Sequence, residues 1–435
     1  MGEALIFLGV LVFSAHLFSM MFSRKKIPDV LLLLLIGVLI GPVLGLVKPS
    51  DFGAIGSVFT SITLVVILFE GGTGISIGDL KESWSSTLKL SASGFIGAAL
   101  IVTAICMIFD MGFLDSLILG AILGGTSSAV VIPLAQNLKL SSQTKTTLIL
   151  ESALTDVLCI VFALAFINAA TMGSGLNVGK IAGNVISSFV LAGIIGFSSA
   201  MLWASLLQKI RQLRNSMFLT PAYLFIIYGL AEVLGYSGAI AALTFGITIA
   251  NMEYFNFKFL EKYQKNKNLK LTNNEQAFVG EISFVLKTFF FVYIGISIPF
   301  SDPHSIMIGG IITIALLVGR IVIAKFFSPH SANVFDKSTI AFMIPKGLAA
   351  AVLASVPEQL GLAAGAQIKY TTFSVVLFSI TLCSVLILLM ERFPKVNLLL
   401  RFIYKNNNAP APEEKEPAPT PQNKEPEEQN QNLID

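Results

Sequence analysis

The sequence predicts an all-α polytopic membrane protein. Of its 435 residues, 54% are hydrophobic and 13% are charged, whereas soluble domains carry about 25% charged residues. Apolar stretches long enough to cross a bilayer recur from Ala4 to Met390. Lysines and arginines are concentrated in every second loop between these stretches. A soluble core of this length could not bury so much apolar surface, so lipid must surround much of the chain.

The apolar stretches predict about thirteen transmembrane helices. Ala4–Phe22 is too long for a typical signal-peptide core, and its basic cluster follows it, so we predict a retained membrane helix. The other predicted helices are Val30–Leu46, Ile55–Gly74, Thr87–Phe109, Leu117–Leu134, Thr147–Ala170, Ile181–Leu207, Phe218–Leu234, Ser237–Ala250, Ala277–Ile298, Ile306–Phe327, Ile340–Val356 and Thr371–Met390.

The basic residues predict the orientation of these helices. If the N-terminus is outside, the loops after odd-numbered helices hold most lysines and arginines, beginning with Arg24 to Lys26. The opposite loops hold only Lys48, Lys180 and Lys369. Because lysine and arginine are enriched in cytoplasmic loops, we predict an outside N-terminus and a cytoplasmic C-terminus.

The composition changes abruptly after Lys405. Residues 406–435 are rich in proline, glutamate, asparagine and glutamine and nearly free of apolar residues. Such a segment cannot bury enough apolar surface to offset the entropy of ordering it. We therefore predict a membrane domain over residues 1–405 and a disordered cytoplasmic tail over 406–435.

Two predicted helices are broken near their middle. The fifth contains Gly124-Gly125 followed by Thr126-Ser127-Ser128, and the twelfth contains Pro345-Lys346-Gly347. The backbone groups that glycine and proline free must be satisfied by protein or water, because lipid cannot do so. If helices one to six and eight to thirteen form two inverted repeats, these breaks occupy equivalent positions. Paired breaks of this kind indicate a transporter binding site near the bilayer midplane.

The sixth predicted helix carries two carboxylates within its apolar run. Glu151 and Thr155 are four residues apart, as are Ser152 and Asp156, so the two pairs lie on adjacent stripes of one helix. Ionisable residues inside a membrane are costly and usually functional. A helix-end position in water explains Asp156 poorly, because the helix continues as apolar on both sides. Its carboxylate can instead be neutralised by a proton or by a bare cation, which then compete.

Other ionisable residues also lie within predicted helices. Arg320 alone would cost about 2.5–3.5 kcal/mol, so we predict that it pairs with Glu151, in a structural or a functional role. Glu70 either lies at the entrance to the ion site or supports the ion-binding residues, or its side chain simply reaches the interface. Lys346 either offsets the dipole of a half-helix C-terminus or reaches the interface, and like Glu70 it is a candidate for a role at the entrance or in support of the ion-binding residues. An interface position accounts for Lys287.

Five phrases of the sequence resemble one family of transporters. They are GVLIGPVLG (Gly37–Gly45), LFEGG (Leu68–Gly72), GGTSSAVV, LESALTD and PKGLAAAVLAS (Pro345–Ser355). Over about residues 5–390 the chain resembles the NhaP-like sodium/proton antiporters of the monovalent cation/proton antiporter superfamily. The resemblance implies a thirteen-helix fold of two inverted repeats, whose broken helices cross, in a homodimer. It also implies dimerisation helices at about 4–74 and 181–298 and core ion-transport helices at about 87–170 and 306–390.

The resemblance also assigns roles to particular residues. The family's ion-binding aspartate falls on Asp156, its paired glutamate and arginine on Glu151 and Arg320, its third-helix glutamate on Glu70, and its break threonine on Thr126. The predicted cation site therefore comprises Asp156, Ser152, Thr155, Thr126 and Ser127. The chain departs from the family pattern where aspartate, asparagine and arginine are usual, with Ser127, Thr155 and Lys346 respectively.

The resemblance and the single ion-binding carboxylate predict an electroneutral antiporter in the cell membrane. Sodium, and with it lithium, would exchange for protons at Asp156, and one cation or one proton at one carboxylate moves no net charge. A potassium/proton antiporter on the same fold and a sodium-coupled organic-solute symporter are the alternatives. No enzyme, cofactor or nucleic-acid partner is predicted, because no HExxH, GxSxG or phosphate-binding glycine loop stands in a suitable context.

Overall fold

The computed structural model describes most of the membrane region of the chain. The described residues are 9–10, 12–17, 29–171, 178–211, 216–255, 271–298, 300, 302–329, 331–393 and 404. Residues 12–17 are helical, but most of the first predicted helix lies outside the described residues, as does the predicted tail at 406–435.

The first half of the described chain is built from long helices and one broken pair. Helix α1 continues into a π-helical turn, Leu39–Val43, at Pro42, which has no N–H to continue the α-helical pattern. The helices are α1 (Asp29–Val38), α2 (Gly53–Thr73), α3 (Ile77–Ile108), α4 (Phe113–Ile122), α5 (Ser128–Asn137), α6 (Ser142–Thr171) and α7 (Val178–Ile210).

The second half of the described chain is likewise built from long helices and one broken pair. The Thr272 hydroxyl and the Glu275 carboxylate form a capping box at the start of α10, and Asn333 and Asp336 form another at the start of α12. The helices are α8 (Leu219–Val233), α9 (Gly238–Ala250), α10 (Asn273–Ile296), α11 (Pro303–Phe327), α12 (Val334–Phe342), α13 (Leu348–Gln359) and α14 (Gly365–Arg392).

The helices coincide with the predicted apolar stretches, but their ends differ. Within the described residues, seven helices are long and apolar enough to cross a membrane, and shorter apolar helices accompany them. The number of spans stays a prediction. Helix α3 begins at Ile77, ten residues before its predicted start at Thr87, and α6 begins at Ser142. Hydropathy marks only the apolar part of a helix, so these polar first turns were missed.

Both predicted breaks are present, and they touch each other. The fifth predicted helix is divided into α4 and α5, and the twelfth into α12 and α13. The Ser127 N–H donates to the Pro345 carbonyl across the two breaks at 2.8 Å. A Cβ on Gly347 would overlap the Ser127 side chain, so only glycine allows this close approach.

The first break is held by side chains of α6. The Gly125 N–H donates to Cys159 Sγ at 2.9 Å, and the Thr126 N–H donates to Thr155 Oγ1 at 3.2 Å. Backbone groups inside a membrane need such internal partners, because lipid offers none. Side chains of α6 therefore supply the partners for two of the backbone N–H groups at the break.

The helices pack as two groups. In the first group, α3 packs against α4, α6 and α11, while α14 packs against α11 and α13. In the second group, α9 packs against α2 and α7, and α10 packs against α1 and α2. The groups contact each other more sparsely, chiefly where α13 and α14 meet α1, α2 and α10.

Glycine pairs permit the close crossings of the second group. Gly37 of α1 faces Gly295 of α10, and a Cβ on either glycine would overlap the backbone of the other helix. Gly72 of α2 and Gly246 of α9 form a similar crossing. Small residues let membrane helices approach closely enough for extensive van der Waals contact. These crossings join α1 to α10 and α2 to α9, and the packing of α10 on α2 connects the two pairs.

Candidate functional site

Asp156 lies at the first break, against the start of a half-helix. It is half-buried in the middle of α6, and its Oδ2 accepts a hydrogen bond from Ser128 Oγ at 2.8 Å. Ser128 is the first residue of α5. The N-terminus of a helix carries a partial positive charge, which stabilises a nearby carboxylate. One hydroxyl and one half-helix terminus therefore hold the Asp156 carboxylate in place.

Asp156 lines a cavity between the two helix groups. The cavity has a volume of about 520 Å³, and Ser127, Ser128, Glu70 and Lys287 also line it. The rest of its described lining is mostly apolar, with residues such as Leu33, Ile67, Leu243 and Phe291. The carboxylate therefore faces a space large enough for hydrated ions, within walls that offer few competing polar groups.

The other hydroxyls of the predicted cation site are divided between this cavity and the scaffold. Ser127 is 2% exposed, and its Oγ has no hydrogen-bond partner among the described residues. Thr155 Oγ1 accepts from the Thr126 N–H and donates to the Ser152 carbonyl. Ser152 Oγ donates to the Ile149 carbonyl at 2.9 Å. The Ser127 hydroxyl is thus buried and unpaired among the described residues, while the Thr155 and Ser152 hydroxyls support the backbone.

Ser128 was missing from the predicted site although its hydroxyl binds the Asp156 carboxylate. The sequence offered three adjacent hydroxyls, Thr126, Ser127 and Ser128, without showing which of them faces α6. That choice depends on the backbone angles of the break, where Ser127 is extended before α5 begins. Ser128 therefore joins the candidate site.

Glu151 and Arg320 form a bidentate ion pair inside the first helix group. Arg320 Nη1 and Nη2 donate to the Glu151 carboxylate at 2.5 and 2.6 Å, and Arg320 Nε donates to the Ile340 carbonyl at 3.0 Å. The side chains are 1% and 6% exposed. Gly94 of α3 makes room for them, because a Cβ there would crowd both charged groups. This pair fastens α6 to α11 and α12.

Lys346 lies in the crossing of the breaks and not at an interface. It is 3% exposed, and its Nζ donates to the Gly125 carbonyl at 2.7 Å, just beyond the end of α4. Its N–H donates to Ser379 Oγ at 2.9 Å. A cation at the C-terminus of a helix offsets the negative end of the dipole. Of the two readings of Lys346, this geometry supports the half-helix cap.

A second, water-sized cavity lies behind the break. Its volume is about 20 Å³, and its polar lining comes from Thr126, Thr155, Glu151, Arg320 and Lys346. A space of this size holds about one water molecule. Thr126 and Thr155 therefore line this small cavity with the ion pair and are not among the described lining residues of the larger one that Asp156 faces.

Glu70 is paired with Lys287, for which an interface position stays a prediction. Lys287 Nζ donates to Glu70 Oε2 at 2.6 Å, and Ser283 Oγ donates to the same oxygen at 2.5 Å. The side chains of Glu70 and Lys287 are 31% and 27% exposed, and both line the large cavity. The missed signal was the position of Lys287 within the apolar run FVLKTFFF of α10, where a lysine needs an anionic partner.

Comparison with known proteins decides the family. The profile of the family described as sodium/hydrogen exchanger, transmembrane, matches residues 10–390. The chain belongs to this family. The resemblance seen in the sequence phrases is thereby confirmed.

Individual relatives of the exchanger family are distant. The chain is 25% identical over 401 residues to the K(+)/H(+) antiporter NhaP2 of Shewanella oneidensis, covering 88% of this chain and 65% of that protein. It is 25% identical over 261 residues to the Na(+)/H(+)-K(+) antiporter GerN of Bacillus cereus, covering 57% of this chain and 63% of GerN. The chain thus spans somewhat less than two thirds of the length of these relatives.

A solved exchanger structure shares the fold. The sodium proton antiporter MjNhaP1 from Methanocaldococcus jannaschii, at pH 8, superposes with a TM-score of 0.70 at 21% identity. The match covers 88% of this chain and 99% of MjNhaP1. The predicted sodium/proton antiporter fold is thereby confirmed.

Proposed function

We propose that this chain is an electroneutral antiporter that exchanges a monovalent cation, sodium first and lithium second, for protons. The observation that carries the proposal is the Asp156 carboxylate at the helix break, which faces a 520 Å³ cavity beside Ser127 and Ser128. Carboxylate and hydroxyl oxygens are the ligands that hard cations prefer. A proton on Asp156 removes the charge that binds the cation, so the two ligands exclude each other.

The position of the cavity supports a particular state of the transport cycle. Its lining includes Val30 at the start of α1, Gly74 and Ile75 after α2, and Ile149 in the first half of α6. With the N-terminus outside, all these positions lie toward the cytoplasm. The structure then corresponds to an inward-facing state, in which Asp156 exchanges its ligand with the cytoplasm.

The two helix groups supply a mechanism for alternating access. Asp156 belongs to the first group, with the core helices at about 87–170 and 306–390. Glu70 and Lys287 belong to the second, with the dimerisation helices at about 4–74 and 181–298. The glycine crossings of the second group and the Glu151–Arg320 pair of the first favour movement of each group as a unit. We propose that the core group moves against a homodimer formed by the second group, within the lipid of the cell membrane.

Potassium is the second candidate cation. The NhaP2 relatives are named K(+)/H(+) antiporters, and GerN is named a Na(+)/H(+)-K(+) antiporter. In this chain, Ser127 replaces the acid usual at the break, and Ser127 and Ser128 are neutral oxygen donors. The organic-solute symporter is less well supported, because the cavity wall is mostly apolar and offers few groups to orient a polar solute.

The proposal is tested with purified protein in liposomes carrying an imposed pH gradient. Sodium, lithium, potassium and, separately, organic solutes with sodium are added outside while a fluorescent dye reports the internal pH. We expect sodium and lithium each to move protons without any solute. Proton movement by potassium alone would favour the second candidate, and a strict need for an organic solute would contradict an antiporter.

A further inference from the structure

The large cavity holds three ionisable groups on two opposite walls. Asp156 lies on the wall formed by the first helix group, and Glu70 and Lys287 lie on the wall formed by α2 and α10. These are the ionisable side chains that line the cavity among the described residues. Glu70 Oε2 accepts from both Lys287 Nζ and Ser283 Oγ, so its negative charge is compensated locally.

We propose that the Glu70–Lys287 pair sets the net charge of the inward-facing cavity at one negative charge, which makes the site prefer monovalent over divalent cations. The inference rests on the proposed function of Asp156 as the cation site. With Asp156 ionised, Lys287 cancels Glu70, and one bound monovalent cation brings the cavity to neutrality. Lys287 therefore acts on specificity through Glu70 without binding the cation.

Removal of the lysine charge would change the character of the site. Two ionised carboxylates, Asp156 and Glu70, would then line one cavity together with the Ser127 and Ser128 hydroxyls. Several carboxylate and hydroxyl oxygens are the ligands of calcium and magnesium ions. Low-dielectric walls increase the effect of each uncompensated charge on the local cation concentration.

The size of the effect follows from the size of the cavity. Treated as a sphere, 520 Å³ is about 10 Å across. One added charge at about 10 Å, at an effective dielectric constant of about 20, changes the affinity for a monovalent cation by about tenfold. For a divalent cation the same charge acts on twice the ionic charge, so its affinity changes by about a hundredfold.

The test compares variants whose net cavity charge, with Asp156 ionised, is more negative than, less negative than or equal to that of the wild type. We expect Lys287→Gln to lower the KM for sodium about tenfold, and to let manganese or calcium ions inhibit sodium-driven proton flux at concentrations harmless to the wild type. Glu70→Gln leaves Lys287 opposite Asp156 and should raise the KM about tenfold. The double change, Glu70→Gln with Lys287→Gln, restores one negative charge and should return both properties close to the wild type.

Two controls separate charge from general damage. Lys287→Arg keeps the charge and should keep wild-type sodium affinity. Lys369 and Glu358 form a comparable pair, with Nζ and Oε2 2.7 Å apart, and neither residue is among those that line the cavity. Lys369→Gln therefore makes the same charge change elsewhere and should leave the KM for sodium unaltered. If Lys287→Gln does not fold, the step from Glu70→Gln to the double variant still has to lower the KM.

Opposite shifts of the two single variants are the decisive result. A pair that only joins α2 to α10 would make both single changes harmful in the same direction, and that outcome would overturn the inference. So would a KM in Lys287→Gln equal to that of Lys287→Arg. Failure of the proposed function is recognised separately, because the wild-type protein would then show no cation-driven proton movement at all.

Discussion

Helix α6 carries two carboxylates five residues apart whose surroundings differ sharply. Glu151 is 1% exposed and receives two hydrogen bonds from the guanidinium group of Arg320. Asp156 is half-buried, receives its hydrogen bond from the neutral hydroxyl of Ser128, and faces the large cavity. Both are carboxylates of one apolar helix, so neither the functional group nor the helix explains the difference between them. The compensation of the charge does separate them. We therefore expect Glu151, whose charge Arg320 compensates, to hold structure, and Asp156, which accepts from a neutral hydroxyl, to bind a mobile cation or proton.

The largest effect is expected at the uncompensated carboxylate. Asp156→Asn keeps the shape and the hydrogen bond to Ser128 but removes the titrating charge, so cation-driven proton movement should be lost completely. Expression and the elution volume of the purified protein should be unchanged. The measurement is proton flux in liposomes at saturating sodium, and wild-type rates in the variant would break the comparison.

The compensated carboxylate should show the opposite profile. Removal of one partner leaves an unpaired buried charge, so Glu151→Gln or Arg320→Gln alone should each destabilise the fold by about 3–5 kcal/mol. The double change removes both charges and should destabilise less than either single change.

Thermal unfolding of the purified single and double variants measures this coupling. Additive shifts would show that the two groups do not stabilise each other. We also expect the double variant to retain sodium-driven proton flux below its melting temperature. Loss of flux in a folded double variant would show that the pair contributes to transport as well as to structure.

A smaller effect is expected at the hydroxyl that holds Asp156. A hydrogen bond to a charged group contributes about 1.5–3 kcal/mol, so Ser128→Ala should raise the KM for sodium about tenfold or more. The maximum rate should change less than the KM, because the carboxylate remains. Ser142→Ala removes an exposed hydroxyl at the start of α6, the helix that carries Asp156, and serves as the matched control. An unchanged KM in Ser128→Ala would show that groups other than the Ser128 hydroxyl position the Asp156 carboxylate.

The sequence was sufficient for those features that depend on the cost of placing polar groups in lipid. The breaks at Gly124-Gly125 and Pro345-Lys346-Gly347 were found because free backbone groups need protein partners. The contact between Glu151 and Arg320 followed from the cost of each charge alone. Lys287 obeys the same rule, because a lysine within the apolar run of α10 needs an anionic partner, and Glu70 supplies it.

Other features depend on local geometry that residue types do not encode. Thr155 and Ser152 have the right chemistry for a cation, but their hydroxyls bond to backbone groups of the break and of α6 itself. Ser127 and Ser128 differ in role although they are adjacent, because the chain turns from extended to helical between them. The contact of Glu70 with α10 joins residues more than two hundred positions apart, which helical periodicity cannot reveal.

The smallest expected effect is that of membrane potential on sodium-driven proton flux, where we expect no change. This measurement tests whether one carboxylate alone exchanges its ligand during the cycle. If Glu151 and Glu70 keep their cationic partners throughout the cycle, Asp156 alone changes its ligand, and one sodium exchanges for one proton. A membrane potential is worth about 2.3 kcal/mol per charge per 100 mV, so even one net charge per turnover would be visible.

Sodium-driven proton flux is measured in liposomes at several potentials set with a potassium ionophore, once potassium itself has proved not to be transported. A reversal point that follows only the sodium and proton gradients at one-to-one supports the single exchanging carboxylate. A reversal point that moves with voltage would mean that a second group titrates, and Glu70, half-exposed beside Lys287 on the cavity wall, would be the first to substitute.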